Sequence, residues 1–137
     1  MKKIKLFFII NILTQSIYAQ DILTARSQGI GANVTVTGVV TNGDELGPIR
    51  YIEDGTAGLA LYDLTTNLLL SSCVRGDSIT VSGTLVDYNG LLELNPTSAA
   101  FIHSNNNPLP QPQNVTPNQI GEPTESELVQ IDNVIFN

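Results

Sequence analysis

Few side chains in this sequence have the types and spacing that catalysis requires. His103 is the only histidine and Cys73 the only cysteine among 137 residues. No serine lies in a glycine elbow, so no motif brings a nucleophile, a base and an orienting acid together. One histidine and one cysteine far apart in the sequence also supply too few ligands for zinc. The sequence therefore predicts no catalytic residue, no metal site and no cofactor.

Two weaker patterns do not change that prediction. Gly29-Ile30-Gly31 precedes a predicted strand instead of following one, which is typical of a turn and not of a dinucleotide-binding loop. Asn42, Asp44 and Glu45 share one loop, but the loop lacks the ligand spacing of a calcium-binding EF-hand. We interpret it as a solvated acidic turn.

The residues best suited to binding are one arginine and three tyrosines, because aromatic rings stack on nucleobases. Arg50 and Tyr51 would point to opposite faces of a regular strand, so both cannot serve one flat site. Tyr51 suits a core position as well as a stacking platform. The candidate ligand-binding residues are Arg50, Tyr51, Tyr62 and Tyr88.

The first residues indicate export. Lys2, Lys3 and Lys5 precede the apolar run 6–13, and small residues up to Ala19 follow, which is the pattern of a secretory signal peptide. The apolar run is shorter than the roughly 20 residues that span a bilayer. We assign residues 1–20 to the signal and expect no membrane span after its removal. The expected location is extracellular or at the cell surface, with the periplasm as the other possibility.

Removal of the signal would leave an acidic chain. All three lysines lie within it, so three arginines face 13 carboxylates, and about ten net negative charges remain. Lysine and arginine contacts to phosphates supply much of the affinity for nucleic acid, so this composition disfavours tight, sequence-independent binding. A single cysteine excludes an intrachain disulfide. The apolar neighbours of Cys73 predict a buried, inert thiol.

Alternating apolar and polar residues predict five strands, at 33–41, 48–54, 58–63, 78–88 and 91–94. Gly38 and Gly83 interrupt two of these strands, which is typical of a bulge or sharp bend. Asn89-Gly90 predicts a type I′ hairpin turn, and the apolar cluster at 64–74 predicts a short helix or plug. The fold class is therefore all-β: a five-stranded, OB-fold-like, partly open barrel with a short helix or plug between strands 3 and 4.

The runs "VTVTGVVTNGDELGPIRYIEDGTAGLALYD" and "RGDSITVSGTLVDYNGLLEL" resemble the OB-fold modules of secreted bacterial multidomain proteins. The resemblance covers roughly residues 22–95. It implies a module of the Bacteroidetes type, of the kind found in large cell-surface proteins of gliding and gut bacteria and beside extracellular nuclease domains. A fainter resemblance links the chain to the anticodon-binding OB domain of class II aminoacyl-tRNA synthetases, where Tyr51 matches the stacking aromatic. That second resemblance implies fold and not function.

The composition changes beyond the barrel. We assign residues 21–104 to the OB-fold-like domain and the Asn-, Pro- and Gln-rich residues 105–119 to a linker. Residues 127–135 resemble 33–40, which predicts that residues 120–137 begin a second, incomplete module. The alternative is that they add an edge strand to the first barrel.

These observations predict a non-catalytic, secreted OB-fold module of a larger extracellular or cell-surface protein. Its role would be structural or ligand-presenting, beside neighbouring domains of a longer polypeptide. The ligand would be a carbohydrate, a protein or single-stranded nucleic acid. The alternative function is an accessory nucleic-acid-binding module of an exported nuclease.

Overall fold

A computed structural model describes residues 18–64 and 69–135 of the chain. Strands dominate these ranges, and α1 (Ile22–Ser27) is the one α-helix within them. No helix in the described ranges has the length and apolar character needed to cross a membrane. The predicted signal peptide falls mainly on residues 1–17, which lie outside the described residues. The strands are β1 (Asn33–Val40), β2 (Ile49–Glu53), β3 (Gly58–Tyr62), β4 (Ser78–Tyr88), β5 (Leu91–Pro96), β6 (Phe101–Ser104), β7 (Gln113–Asn114) and β8 (Val129–Gln130).

The first five strands close into a barrel in the order β1-β2-β3-β5-β4-β1. The β3–β5 pair is parallel, and the other pairs are antiparallel. The long strand β4 closes the barrel by pairing along nearly all of β1, from Asn33↔Thr84 to Val39↔Ser78. This arrangement confirms the predicted all-β, OB-fold-like barrel.

The observed strands lie where the local sequence patterns predicted them. The predicted strand 78–88 coincides with β4, and the ends of the other four strands differ from prediction by at most two residues. Asn89 and Gly90 have φ angles of 55° and 96°. Positive φ at both central positions is the requirement of a type I′ turn, so the predicted β4–β5 hairpin is confirmed.

Alternate residues of the strands fill the barrel interior. Val34, Val36 and Val40 of β1 point inward, in a strict alternation with half-buried or exposed neighbours. Leu70 and Cys73, from the predicted plug, are fully buried in the same core. In the described part of that segment, residues 69–72 form turns and residues 73–74 are irregular, and residues 65–68 lie outside the described residues. The buried thiol predicted for Cys73 is confirmed.

Gly83 and Gly38 lie where strands of the barrel approach most closely. Gly83 pairs with Val34 of β1 on one side and Pro96 of β5 on the other. A Cβ at Gly83 would overlap the backbone carbonyl of Asn95. A Cβ at Gly38 would lie 3.0 Å from the carbonyl oxygen of Glu53. Both glycines therefore permit the strand approach that closes a small barrel.

Two elements extend the barrel beyond the sequence prediction. Helix α1 closes one end, with Ile22 and Ala25 fully buried. Its N-cap is Asp21, whose Oδ1 accepts a 2.7 Å hydrogen bond from the Thr24 backbone N–H. Strand β6 pairs with the beginning of β4, and β5 pairs with the second half of β4.

The C-terminal residues pack against the barrel without joining its sheet. β8 pairs in parallel with β7. The Glu125 carboxylate contacts Arg26 of α1 at 3.0 Å, and Glu53 of β2 accepts a 2.6 Å hydrogen bond from the Leu128 N–H. A Cβ at Gly58 would overlap the Ser126 carbonyl, so the tail lies directly on β3. The domain boundaries at 104 and 119 stay predictions.

Candidate ligand-binding groove

Strand register places one row of side chains across the outer face of the sheet. Tyr51 pairs with Ala60, Ala60 with Glu93, and Glu93 with Val86. Paired residues on neighbouring strands share a face, and the alternate residues Leu59, Leu61 and Leu94 fill the core. The row therefore lies outside the barrel, across strands β2, β3, β5 and β4.

A groove of about 470 Å³ lies on this face. Tyr62 stands two residues beyond Ala60, and Asn95 stands two residues beyond Glu93, so both are on the outer side. Outer strand faces around β2 and β3 carry the ligands of OB-folds. The residues lining the groove are Ile49, Tyr62, Leu64, Val86, Asp87, Tyr88, Glu93 and Asn95.

Two of the four predicted binding residues meet in this groove. Tyr62 is half-buried at the end of β3, and Tyr88 is 64% exposed at the end of β4. Their rings border a predominantly apolar surface that includes Ile49, Leu64 and Val86. Tyr51 is half-buried on the same outer face, in the row of Ala60 and Glu93, but does not line the groove.

Arg50 is not brought to the groove. Its side chain is 1% exposed. Nε donates to the Cys73 carbonyl at 2.8 Å, and Nη1 donates to the carbonyls of Gly47 at 2.8 Å and Ile49 at 2.9 Å. The guanidinium thus joins the β1–β2 loop, β2 and the segment before β4. The geometry gives Arg50 a structural role.

Glu93 is the groove residue that sequence reasoning missed. It is 3% exposed, and its carboxylate makes no hydrogen bond or ion pair with any described residue. Burial raises the pKa of Glu93 above its ordinary value. The available signal was its position: in "LLELNP" the glutamate lies inside a predicted strand, with a leucine directly before it and another directly after it. A buried, unpaired carboxylate in a cleft is a frequent mark of a functional site.

Asn95 adds a second unsatisfied acceptor to the same groove. Its Oδ1 is buried and has no hydrogen-bond partner among the described residues. Buried polar atoms are nearly always paired in folded proteins, so an orphan acceptor calls for an explanation. Glu93 and Asn95 together give the groove two acceptors without donors.

The loop between β1 and β2 is shaped by internal hydrogen bonds. Asn42 is buried, accepts a 2.7 Å bond from the Tyr51 N–H and donates to the Ile49 carbonyl at 3.0 Å. Glu45 pairs with Arg75 at 2.8 Å on the surface. Among the described residues, no group of three or more metal-ligating side chains comes together.

His103 lies away from the groove, on β6. Its Nε2 is 2.7 Å from the Thr80 hydroxyl, and its ring contacts Phe101 edge to face. Among the described residues, no carboxylate hydrogen-bonds to the His103 ring, so the third member of a catalytic triad is not present there.

Removal of the Glu93 charge is expected to stabilise the protein at neutral pH. Because its pKa is raised in the native state, that state holds the proton more tightly than the unfolded chain does. Its contribution to stability is therefore largest at low pH and is lost as pH rises through the raised pKa. Glu93→Gln should raise Tm at pH 7, and the gain should shrink as pH falls towards 4.5, the ordinary value.

Thermal unfolding between pH 4.5 and 7 measures this difference, with Glu122→Gln as the matched control. Glu122 lies at the surface, with a side chain 76% exposed, so the same change of charge should alter Tm little at any pH. A Glu93→Gln variant less stable than wild type at pH 7 would contradict the prediction.

Comparison with known proteins gives one curated relative and one structural neighbour. The chain is 27% identical over 125 residues to Endonuclease YhcR of Bacillus subtilis (strain 168). That match covers 82% of this chain but only 10% of the relative, so the chain spans about a tenth of its length. The fold resembles that of the hypothetical protein ygiW from E. coli, with a TM-score of 0.51 and 10% identity, over 62% of this chain and 89% of the other. No protein-family model matches the chain.

Proposed function

We propose that this chain is an exported, non-catalytic OB-fold module that binds single-stranded nucleic acid for a nuclease domain of a larger polypeptide. The observation that carries the proposal is the groove on the outer barrel face, bordered by Tyr62 and Tyr88. Stacking of bases on aromatic rings is the sequence-tolerant element of single-strand binding by OB-folds. The relative named as an endonuclease supports this ligand class.

Charge makes the proposed binding weak. After the proposed removal of residues 1–20, about ten net negative charges would oppose a phosphate backbone, and the chain has no lysine after residue 5. Arg50 is buried, and both Arg26 and Arg75 are engaged in salt bridges. Affinity would therefore come from stacking and from base contacts, and few counterions would be released. A module of this kind retains substrate near a catalytic domain through high local concentration.

The second candidate is a structural or ligand-presenting module of a cell-surface protein. The acidic composition favours it, as does the C-terminal tail that lies on β3 at Gly58. In that case the groove would hold a carbohydrate or a segment of a protein, and oligonucleotides would not enter it.

Binding of a ten-residue oligo(dT) tests the proposal. We expect a Kd weaker than roughly 10 μM at physiological salt, with little salt dependence. Tyr62→Ala and Tyr88→Ala should each weaken binding about tenfold, since one stacked base contributes about 1–3 kcal/mol. NMR titration of the labelled chain measures both the affinity and the residues affected.

Phe101→Ala is the control, because Phe101 is a 63% exposed aromatic residue outside the groove. It should bind oligo(dT) as wild type does. Absence of binding at millimolar protein would refute the nucleic-acid function and favour the structural module. Binding that is insensitive to both tyrosine variants would place the ligand elsewhere.

A further inference from the structure

The groove combines aromatic walls with acceptors that lack donors. Glu93 is only 3% exposed, and no described residue donates a hydrogen bond to its carboxylate. Asn95 contributes an Oδ1 that is itself fully buried and has no hydrogen-bond partner among the described residues. An unpaired acceptor in a buried site destabilises the protein, and more so where the group is charged. A ligand that donates at these positions would recover the lost free energy.

The two acceptors are close neighbours on one strand. They stand two residues apart on β5 and therefore share its outer face. Tyr62 is on the adjacent β3, level with Asn95, and Tyr88 is on the adjacent β4, opposite Leu91, so the tyrosines border the acceptors diagonally from the two neighbouring strands. The site is thus a slot whose lining combines apolar and aromatic residues with the two acceptors of β5. Its shape and chemistry suit a flat ring that carries N–H groups on one edge.

We infer that the groove selects guanine among the bases of a single strand, with Glu93 accepting from the guanine N1–H and N2–H₂ groups between Tyr62 and Tyr88. Guanine presents these two donors side by side on its Watson–Crick edge. Adenine and cytosine each present one amino group there, and thymine presents one N–H. A carboxylate has two oxygens and can accept both guanine donors at once. This inference rests on the proposed binding of single-stranded nucleic acid.

Recognition of an exposed base by its Watson–Crick edge is feasible in a single strand, because that edge is not occupied by a partner strand. It also explains how an acidic module could bind nucleic acid at all. The phosphates need not contact the protein if one base enters the slot, and the carboxylate then receives donors from the base in place of water. Asn95 Oδ1 is the further acceptor available to the same ligand.

Five-residue oligonucleotides that differ only at the central base test the inference. The central base is guanine, hypoxanthine, adenine or thymine, with thymine at every other position, so a single guanine cannot form a quadruplex. We expect guanine to bind about tenfold more tightly than thymine, because a good bidentate contact discriminates by at least that factor. Hypoxanthine keeps N1–H but lacks the N2 amino group, so its affinity should be intermediate.

Glu93→Gln is the decisive variant. A glutamine side chain has one acceptor oxygen in place of two, so the ratio of the guanine affinity to the thymine affinity should fall to about one. Glu122→Gln makes the same change of charge at the surface and should keep the preference. NMR titration of each variant gives the affinities and shows that the fold is intact.

The outcomes separate the two proposals. Binding without a preference for guanine, or a preference that Glu93→Gln does not change, overturns the inference and leaves the proposed function standing. Absence of binding by every oligonucleotide overturns both. If an arginine-containing peptide shifts the groove resonances and no oligonucleotide does, the donor that satisfies Glu93 is a guanidinium from a protein, and both proposals are wrong.

Discussion

Arg50→Lys is expected to lower the free energy of unfolding by about 3 kcal/mol, because the buried guanidinium makes three hydrogen bonds that an ammonium cannot reproduce. The three acceptors are the carbonyls of Gly47 and Ile49, just before Arg50, and of Cys73 in the segment before β4. Lysine carries its charge on one flexible atom, whereas the planar guanidinium directs several donors at once. In a domain of this size the change should lower Tm by more than about 10 °C. Thermal and urea unfolding measure it.

Arg75→Lys is the matched control for that substitution. Arg75 is on the surface, where its side chain is 56% exposed and pairs with a half-exposed Glu45. Exposed ion pairs contribute little to stability, so this variant should unfold close to wild type. If both variants unfold alike, the bonds made by Arg50 are not what holds the β1–β2 loop against the barrel.

Gly83→Val is expected to cost about 3 kcal/mol or more, or to prevent folding, because β4 and β5 cannot separate without opening the barrel. The added Cβ would lie within 2.5 Å of the Leu94 side chain and would overlap the Asn95 carbonyl. Leu94 is fully buried in the core, so it has no free space to move into. Urea unfolding monitored by circular dichroism measures the loss.

Valine substitutions at two further glycines should cost progressively less stability than Gly83→Val. Gly38→Val should cost less than Gly83→Val, since its nearest contact is the Glu53 carbonyl oxygen at 3.0 Å, where a small backbone shift relieves the overlap. Gly121→Val should be close to neutral, because its backbone is extended, with φ 160°, and no atom lies within 4 Å of an added Cβ. Equal unfolding midpoints for all three variants would contradict a role for close strand approach in closing the barrel.

The barrel strands were predictable because their signals are local. Two-residue alternation, the Asn89-Gly90 turn and interrupting glycines lie within short windows of sequence, and the barrel follows from their order. Helix α1 was missed because it has only six residues and directly follows the predicted signal. Its one signal was Asp21, an N-cap residue placed three positions before Thr24.

The candidate site was only partly predictable, because its members are set by register between distant strands. Tyr62 and Tyr88 were identified from residue type and from their positions at strand ends. Arg50 was assigned to binding because it lies on the second strand, whose outer face carries ligands in OB-folds. The Cys73 carbonyl that fixes its guanidinium comes from a distant segment, which no local pattern indicates. Glu93 was overlooked for the converse reason, since a glutamate in a strand is normally solvated.

Because Cys73 is buried, the rate at which its thiol is alkylated reports on opening of the segment before β4. It is the chain's only cysteine, it is fully buried, and burial raises the pKa of its thiol. An alkylating reagent attacks the thiolate, so modification waits until this segment leaves the core. With reagent in excess, so that labelling outpaces reclosing, the labelling rate equals the rate of opening. With less reagent, the labelling rate is proportional to the population of the open state. Comparison with the rate of global unfolding then shows whether the segment that Arg50 holds departs by itself or only when the whole barrel comes apart.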